Sequence, residues 1–177
     1  KKFFLYKHKI LDKKNPNAYI IFSYPVSDKN HFYRTPYATK LHIFLETQEN
    51  TGLNFYLHAP FIPNNSRTEI DLFKEKNEKI LSECSTAFIK SIEELKKLKI
   101  LNLSFISILP HSPQSENEKF SELHQTIQDT LKNKEIWECN KNKYQKASQV
   151  IYWGNKNNNI FSDYDLKEIT EGNKTNW

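Results

Sequence analysis

TGLNFYLHAPFIPNNSRTEIDLFKEKN, residues 51 to 77, holds a change of period that decides how the rest of the chain is read. Leu53, Phe55, Leu57 and Ala59 alternate with Asn54, Tyr56 and His58, the period-two pattern of a strand with one buried face. Beyond the polar run Asn64-Asn65-Ser66, apolar residues recur in steps of three and four. Ile80, Leu81, Cys84, Phe88, Ile92, Leu95 and Leu98 form one stripe, while Glu83, Lys90, Glu93 and Lys97 fall on the opposite side. The pattern predicts a long helix over Phe73 to Leu98, with Arg67 near its start. Arg67 and Arg34 are the two arginines in a chain that otherwise takes its positive charge from lysine. A site that needs a planar, permanently charged fork is therefore sought at one of these two positions.

Upstream, Phe3 to Leu11, Ala18 to Tyr24 and Leu41 to Leu45 are short, aromatic and β-branched, and read as strands. Asn15-Pro16-Asn17 predicts the turn that pairs the first with the second. Asn50-Thr51-Gly52 is read as the link of an antiparallel hairpin between Leu41 to Glu46 and Leu53 to Phe61. Downstream, Leu101 to Leu109 reads as a buried strand ended by Pro110, and His111 to Ser115 as a linker. Phe120, Leu123, Ile127 and Leu131 mark a second amphipathic helix, capped by Ser115 or Asn117. Trp137 and Val150 to Trp153 suggest a small hairpin, and Ser162-Asp163 the cap of a last helix over Tyr164 to Thr170. The resulting fold class is α+β: a mixed or antiparallel sheet covered by a long helix, residues 1–110, followed by a small α/β extension, residues 111–177.

A chain of 177 residues can bury a core without disulfide staples. Cys84 and Cys139 lack CxxC or Cys/His spacing, so buried free thiols are expected rather than a zinc site. No apolar run approaches a membrane span, and Lys1-Lys2-Phe3-Phe4 has neither an initiating Met nor a signal-peptide pattern. We expect a piece of a longer cytoplasmic protein. The net charge of +5 is spread as lysine mixed with glutamate, which describes a solvated surface. A lysine-rich nucleic-acid-binding module of a restriction or defence assembly is the alternative reading, using dispersed Lys with exposed Tyr and Trp.

Catalytic signatures are scarce. No GxSxG or HExxH occurs, and three glycines, Gly52, Gly154 and Gly172, do not make a phosphate cradle. Glu46 to Asn50 matches ExxxN, but on a strand and its turn rather than on a helix. Arg67 stands apart because it follows Ser66 at an expected helix start, where unpaired N–H groups and the helix dipole favour an anion. The competing reading has Ser66 or Asn65 cap the helix while Arg67 pairs with Glu69 or Asp71.

Phe44-Leu45-Glu46-Thr47, Thr51 to Phe55, His58-Ala59-Pro60-Phe61, Asn65 to Ile70 and Asn77 together resemble the region after the nucleotide-binding domain in large bacterial GHKL-type ATPases and sacsin-like proteins. GHKL denotes the gyrase, heat-shock chaperone, histidine kinase and MutL group. The resemblance spans roughly residues 17 to 153. It implies a middle, or transducer, domain of left-handed βαβ kind, in which Asn64-Asn65-Ser66-Arg67 matches the N-x-S-R turn of the chaperone members. By that likeness Arg67 contacts the γ-phosphate of ATP held by the preceding domain, with Asn64 and Ser66 beside it. Thr68 replaces the chaperones' Glu. The likeness further implies ATP and Mg for the parent protein, an N-terminal nucleotide-binding domain of the same chain as partner, and a homodimer. This segment lacks the ATP-binding half: no helix-borne Glu with a metal-ligating Asn, no adenine-reading Asp-x-Gly and no lid glycines. By itself it is expected to bind no cofactor or metal and to hydrolyse nothing.

Overall fold

The computed structural model describes residues 2–11, 15–37, 39–71, 73–110, 118–139, 143–151 and 175–176. Strands β1 (Lys2–Lys9), β2 (Tyr19–Val26), β3 (Lys40–Ile43), β4 (Leu45–Asn50) and β5 (Tyr56–His58) precede helices α1 (Glu75–Lys97), α2 (Leu103–Ile108) and α3 (Ser121–Asn133). Short strands β6 (Trp137–Cys139), β7 (Lys143–Gln145), β8 (Val150–Ile151) and β9 (Thr175–Asn176) follow. The first five form one sheet in the order β1-β2-β5-β3-β4, mixed because β5 is antiparallel to β2 and parallel to β3. The class is α+β.

The β1–β2 hairpin forms as its turn residues predict. Ala18 N donates to Asn15 O at 3.1 Å and Asn17 N to the Asn15 side chain at 3.2 Å. The next hairpin differs from expectation. β3 folds back on β4 at Phe44, whose φ is +63°, so the expected antiparallel pairing of Leu41 to Glu46 with Leu53 to Phe61 across Asn50-Thr51-Gly52 is not formed: β3 pairs with β4, and β5 inserts between β2 and β3, parallel to β3. Thr47-Gln48-Glu49-Asn50 carries no apolar alternation, which is why its inward positions are invisible in sequence. Its buried polar groups are satisfied instead: Thr47 Oγ1 donates to Leu41 O at 2.9 Å, and Glu49 Oε2 accepts from Ile70 N at 3.1 Å.

Leu101 to Leu109, expected as a strand, is instead helical over Leu103–Ile108. Asn102 caps α2, its Oδ1 accepting from Ser104 N at 3.0 Å and Phe105 N at 3.3 Å. An apolar run buried on most sides carries no period to separate helix from strand. Among the described residues no strand of the five-stranded sheet therefore follows α1, and the expected βαβ crossover is not formed by them. Trp137–Cys139 pairs with Lys143–Gln145 rather than with Val150 onward, and Val150–Ile151 lies parallel to Thr175–Asn176. The expected linker at His111 to Ser115, the Ser115 or Asn117 cap, Trp153 and the last helix at Tyr164 to Thr170 lie outside the described residues.

α1 covers one face of the sheet with the stripe its period predicts. Ile80, Cys84, Ala87, Phe88, Ile92 and Leu95 are buried; Leu81 is only partly so, and Leu98 is exposed. Glu75 and Glu78 in its first turn and Lys96 and Lys97 in its last complement the helix dipole. Phe22, Tyr24, Phe55, Phe88 and Phe105 form an aromatic centre, with Tyr24 4.9 Å from Phe55 and 5.0 Å from Phe105 between ring centroids. Burial pushes the Tyr24 phenol far above its usual range, and its oxygen shares a 2.8 Å hydrogen bond with Ser91 Oγ. Phe120, Leu123, Ile127, Leu131 and Ile136 belong to the same buried cluster, so one core runs across residue 110. Cys84 and Cys139 are buried, and burial raises the Cys84 thiol well above its ordinary value. Among the described residues no helix is long and apolar enough to cross a membrane.

Candidate functional site

Residues 62–71 form an arch at the edge of the sheet. Asp71 N donates to Ile62 O at 3.1 Å and Asn64 N to Glu69 O at 2.8 Å, so the two limbs run side by side through the Pro63–Ile70 bridge. At the tip Arg67 N donates to Asn64 O at 2.9 Å. The Asn64 carboxamide fills the inside of the arch. Its Oδ1 accepts from Ser66 Oγ at 3.0 Å, Thr68 N at 3.0 Å and Glu69 N at 3.4 Å. Ser66 Oγ also lies 2.8 Å from Thr68 Oγ1. Asn64 and Ser66 are thus engaged within the turn, as side-chain acceptors and donors at turns commonly are.

Arg67 is placed differently. It is exposed, and among the described residues its guanidinium makes no hydrogen bond or ion pair. Glu69 instead meets Lys119 at 3.3 Å, and Asp71 lies 3.9 Å from Lys74, so neither carboxylate is given to Arg67. Its φ of +57° puts a non-glycine residue in the left-handed region, a strain of about 1–2 kcal/mol that the surrounding bonds must hold. The expected helix start at Arg67 is corrected here. α1 begins at Glu75, so the arginine stands on a closed arch and not at a helix dipole. Four residues of polar sequence before an apolar period look alike in either case; the distinction lies in the limb-to-limb bonds.

The arch is secured from three directions. Gln48 N on β4 donates to Thr68 O at 2.9 Å. Asn77 on α1 binds the base through Ile62 and Asp71. Lys119, in the single turn Glu118–Phe120 ahead of α3, reaches Glu49 Oε2 at 2.7 Å and Glu69 Oε2 at 3.3 Å. Burial works against the Lys119 charge, but the Glu49 and Glu69 carboxylates outweigh it and hold the ammonium above its ordinary range. Sequence reasoning missed Glu49 and Lys119. The one available signal was parity: Glu49 falls in phase with Thr47, on the side of the strand that turns inward.

The second arginine is structural, Arg34 Nε donating to Ser107 O at 2.7 Å. Two histidines are also taken up locally. His8 Nε2 lies 2.5 Å from Glu83 Oε1, and His124 Nε2 lies 2.9 Å from Thr51 O. His42 and His58 face each other in register on β3 and β5, on the sheet face away from α1. His58 is half-buried; burial, and then neighbouring His42, lower its pKa, partly offset by a backbone hydrogen bond. Among the described residues no three His, Cys, Asp or Glu side chains gather as a metal site. Comparison with family models, curated proteins and solved structures found no match.

Proposed function

We propose that this chain is the middle, transducer segment of a multidomain cytoplasmic GHKL-type ATPase, presenting Arg67 to the γ-phosphate of ATP bound by a preceding domain of the same protein. The observation that carries the reading is the exposed Arg67, whose guanidinium has no partner among the described residues, on an arch braced from within by Asn64. A strained backbone held by neighbouring bonds is the form taken by residues whose position matters more than their local stability. The guanidinium is fixed in charge at any working pH and presents a planar fork of donors to phosphate oxygens. Placed against a phosphoryl group in transfer, it would oppose the charge that develops there without reorganising. Asn64 assists as a positioning residue through the turn, and Ser66 shares in that bracing. ATP and Mg belong to the preceding domain; this segment contributes the arginine and, through the long α1, a rigid connection onward.

Replacing Arg67 with alanine in the full-length protein is expected to lower ATP turnover by about 10³-fold or more. An Arg67→Gly variant serves as the companion, because glycine takes a positive φ without strain. It should lose turnover equally while keeping its thermal stability, which separates loss of the guanidinium from loss of the arch. Unchanged turnover in both variants would end this reading.

A further inference from the structure

Glu49 is a carboxylate with a side chain only 4% exposed, on the edge strand β4, and its Oε2 is shared by two donors from distant parts of the chain. Ile70 N, on the return limb of the Arg67 arch, donates at 3.1 Å. Lys119 Nζ donates at 2.7 Å and also reaches Glu69 Oε2, the residue before Ile70, at 3.3 Å. Lys119 is not a free surface lysine: the next residue, Phe120, is buried in the core and leads directly into α3. The return limb of the arch is therefore held between β4 and the segment ahead of α3. Withdrawing one member of a buried charge pair is costly, because the other loses the charge that compensated its burial.

We infer that Lys119 is a positioning residue for Arg67, through which the segment carrying α3 controls whether the arch holds its arginine outward. The inference rests on the transducer reading for its functional consequence, while its structural part stands apart from it. A shift of α3 that withdraws the ammonium would break its contacts with Glu49 and Glu69. The Ile70 bond and the Asn64–Glu69 pairing would then be the first to loosen, and with them the positive φ at Arg67. A purely stabilising clamp would instead act on the whole core.

The test uses the full-length protein with Lys119→Met, Lys119→Arg and the paired change Glu49→Gln with Lys119→Met, which removes both charges together. Amide hydrogen exchange and steady-state ATP turnover are the readouts. In Lys119→Met, exchange at residues 67–70 should rise about tenfold or more relative to the core amides of α1. Turnover at saturating ATP should fall about tenfold with KM little changed, and Lys119→Arg should restore both. Should Lys119→Met fail to fold, the paired variant decides by the same local exchange. Unchanged exchange at 67–70 in a folded variant overturns the inference, as does a uniform rise across the core, which would make Lys119 a general stabiliser. If Arg67→Ala leaves turnover intact, the transducer reading fails, yet the exchange result still decides whether Lys119 positions the arch.

Discussion

The carboxamide of Asn77 and the backbone of Ile62 exchange two hydrogen bonds, each 2.7 Å long, in the way that two strands exchange a pair. Nδ2 donates a further bond to Asp71 O, also at 2.7 Å, and Asn77 is fully buried in the first turns of α1. Both limbs of the Arg67 arch are thereby fastened at their base to the helix.

Asn77→Ala would leave Ile62 N–H without its partner in a part-buried site, while Asp71 O keeps Lys74 N and Ile62 O keeps Asp71 N. A loss of about 1–3 kcal/mol is expected, the cost of one stranded polar group. Urea unfolding measures it. Asn77→Asp should be no better, because a carboxylate cannot make the donations to Ile62 O and Asp71 O. A loss below about 0.5 kcal/mol, the range of ordinary surface changes, would mean the clamp contributes nothing.

Gly52 has φ +67°, and a Cβ there would lie 3.0 Å from His124 Nε2 and 3.1 Å from its Cε1. The ring has little room to yield, being buried and bonded to Thr51 O at 2.9 Å. Gly52→Ala should lower stability by about 2 kcal/mol or more, combining left-handed strain with overpacking. The penalty should shrink in a His124→Ala background, where the steric part is absent. Thermal melts of the four proteins in that cycle decide; an equal penalty in both backgrounds would place the whole effect in the backbone.

His58 should make stability depend on pH. Burial and then His42 lower its pKa below the ordinary 6.5. The unfolded chain consequently takes up a proton before the folded one does. The stabilising contribution is complete above about pH 6.5 and is lost as pH falls from there through the folded-state value. Urea midpoints measured between about pH 5 and pH 7.5 should decline toward acid, and His58→Gln should flatten part of that decline. Identical slopes in the two proteins would assign the acid sensitivity to other groups.

How far the chain was legible depended on whether a pattern was local. Leu53, Phe55, Leu57, Ala59 and Phe61 are all buried as their alternation predicts, although only Tyr56–His58 is paired as strand. α3 was legible from Phe120, Leu123, Ile127 and Leu131, each buried. β4 was not, because its inward residues are Thr47 and Glu49, whose burial is allowed only by partners elsewhere. α2 was not, because Leu103–Ile108 spans less than two turns, and Ser104 and Ser107 are too few polar positions to set a period.

The candidate site divides in the same way. Asn64, Ser66 and Arg67 could be singled out from an arginine-poor chain, but the local string suits a capped helix and a closed arch equally well. The arch prevails because Asp71 meets Ile62, Thr68 meets Gln48, and Asn77 fastens the base.

From its own order of residues the chain determined the β1–β2 hairpin, the parity of residues 53–61 and the buried stripes of α1 and α3, since each is a periodicity or turn chemistry contained within a short window. Tertiary structure alone decided that β5 lies between β2 and β3, and that Glu49 turns inward to meet Lys119, 70 positions away. A buried charge is tolerable only once its partner arrives, and no local pattern can announce a partner that distant.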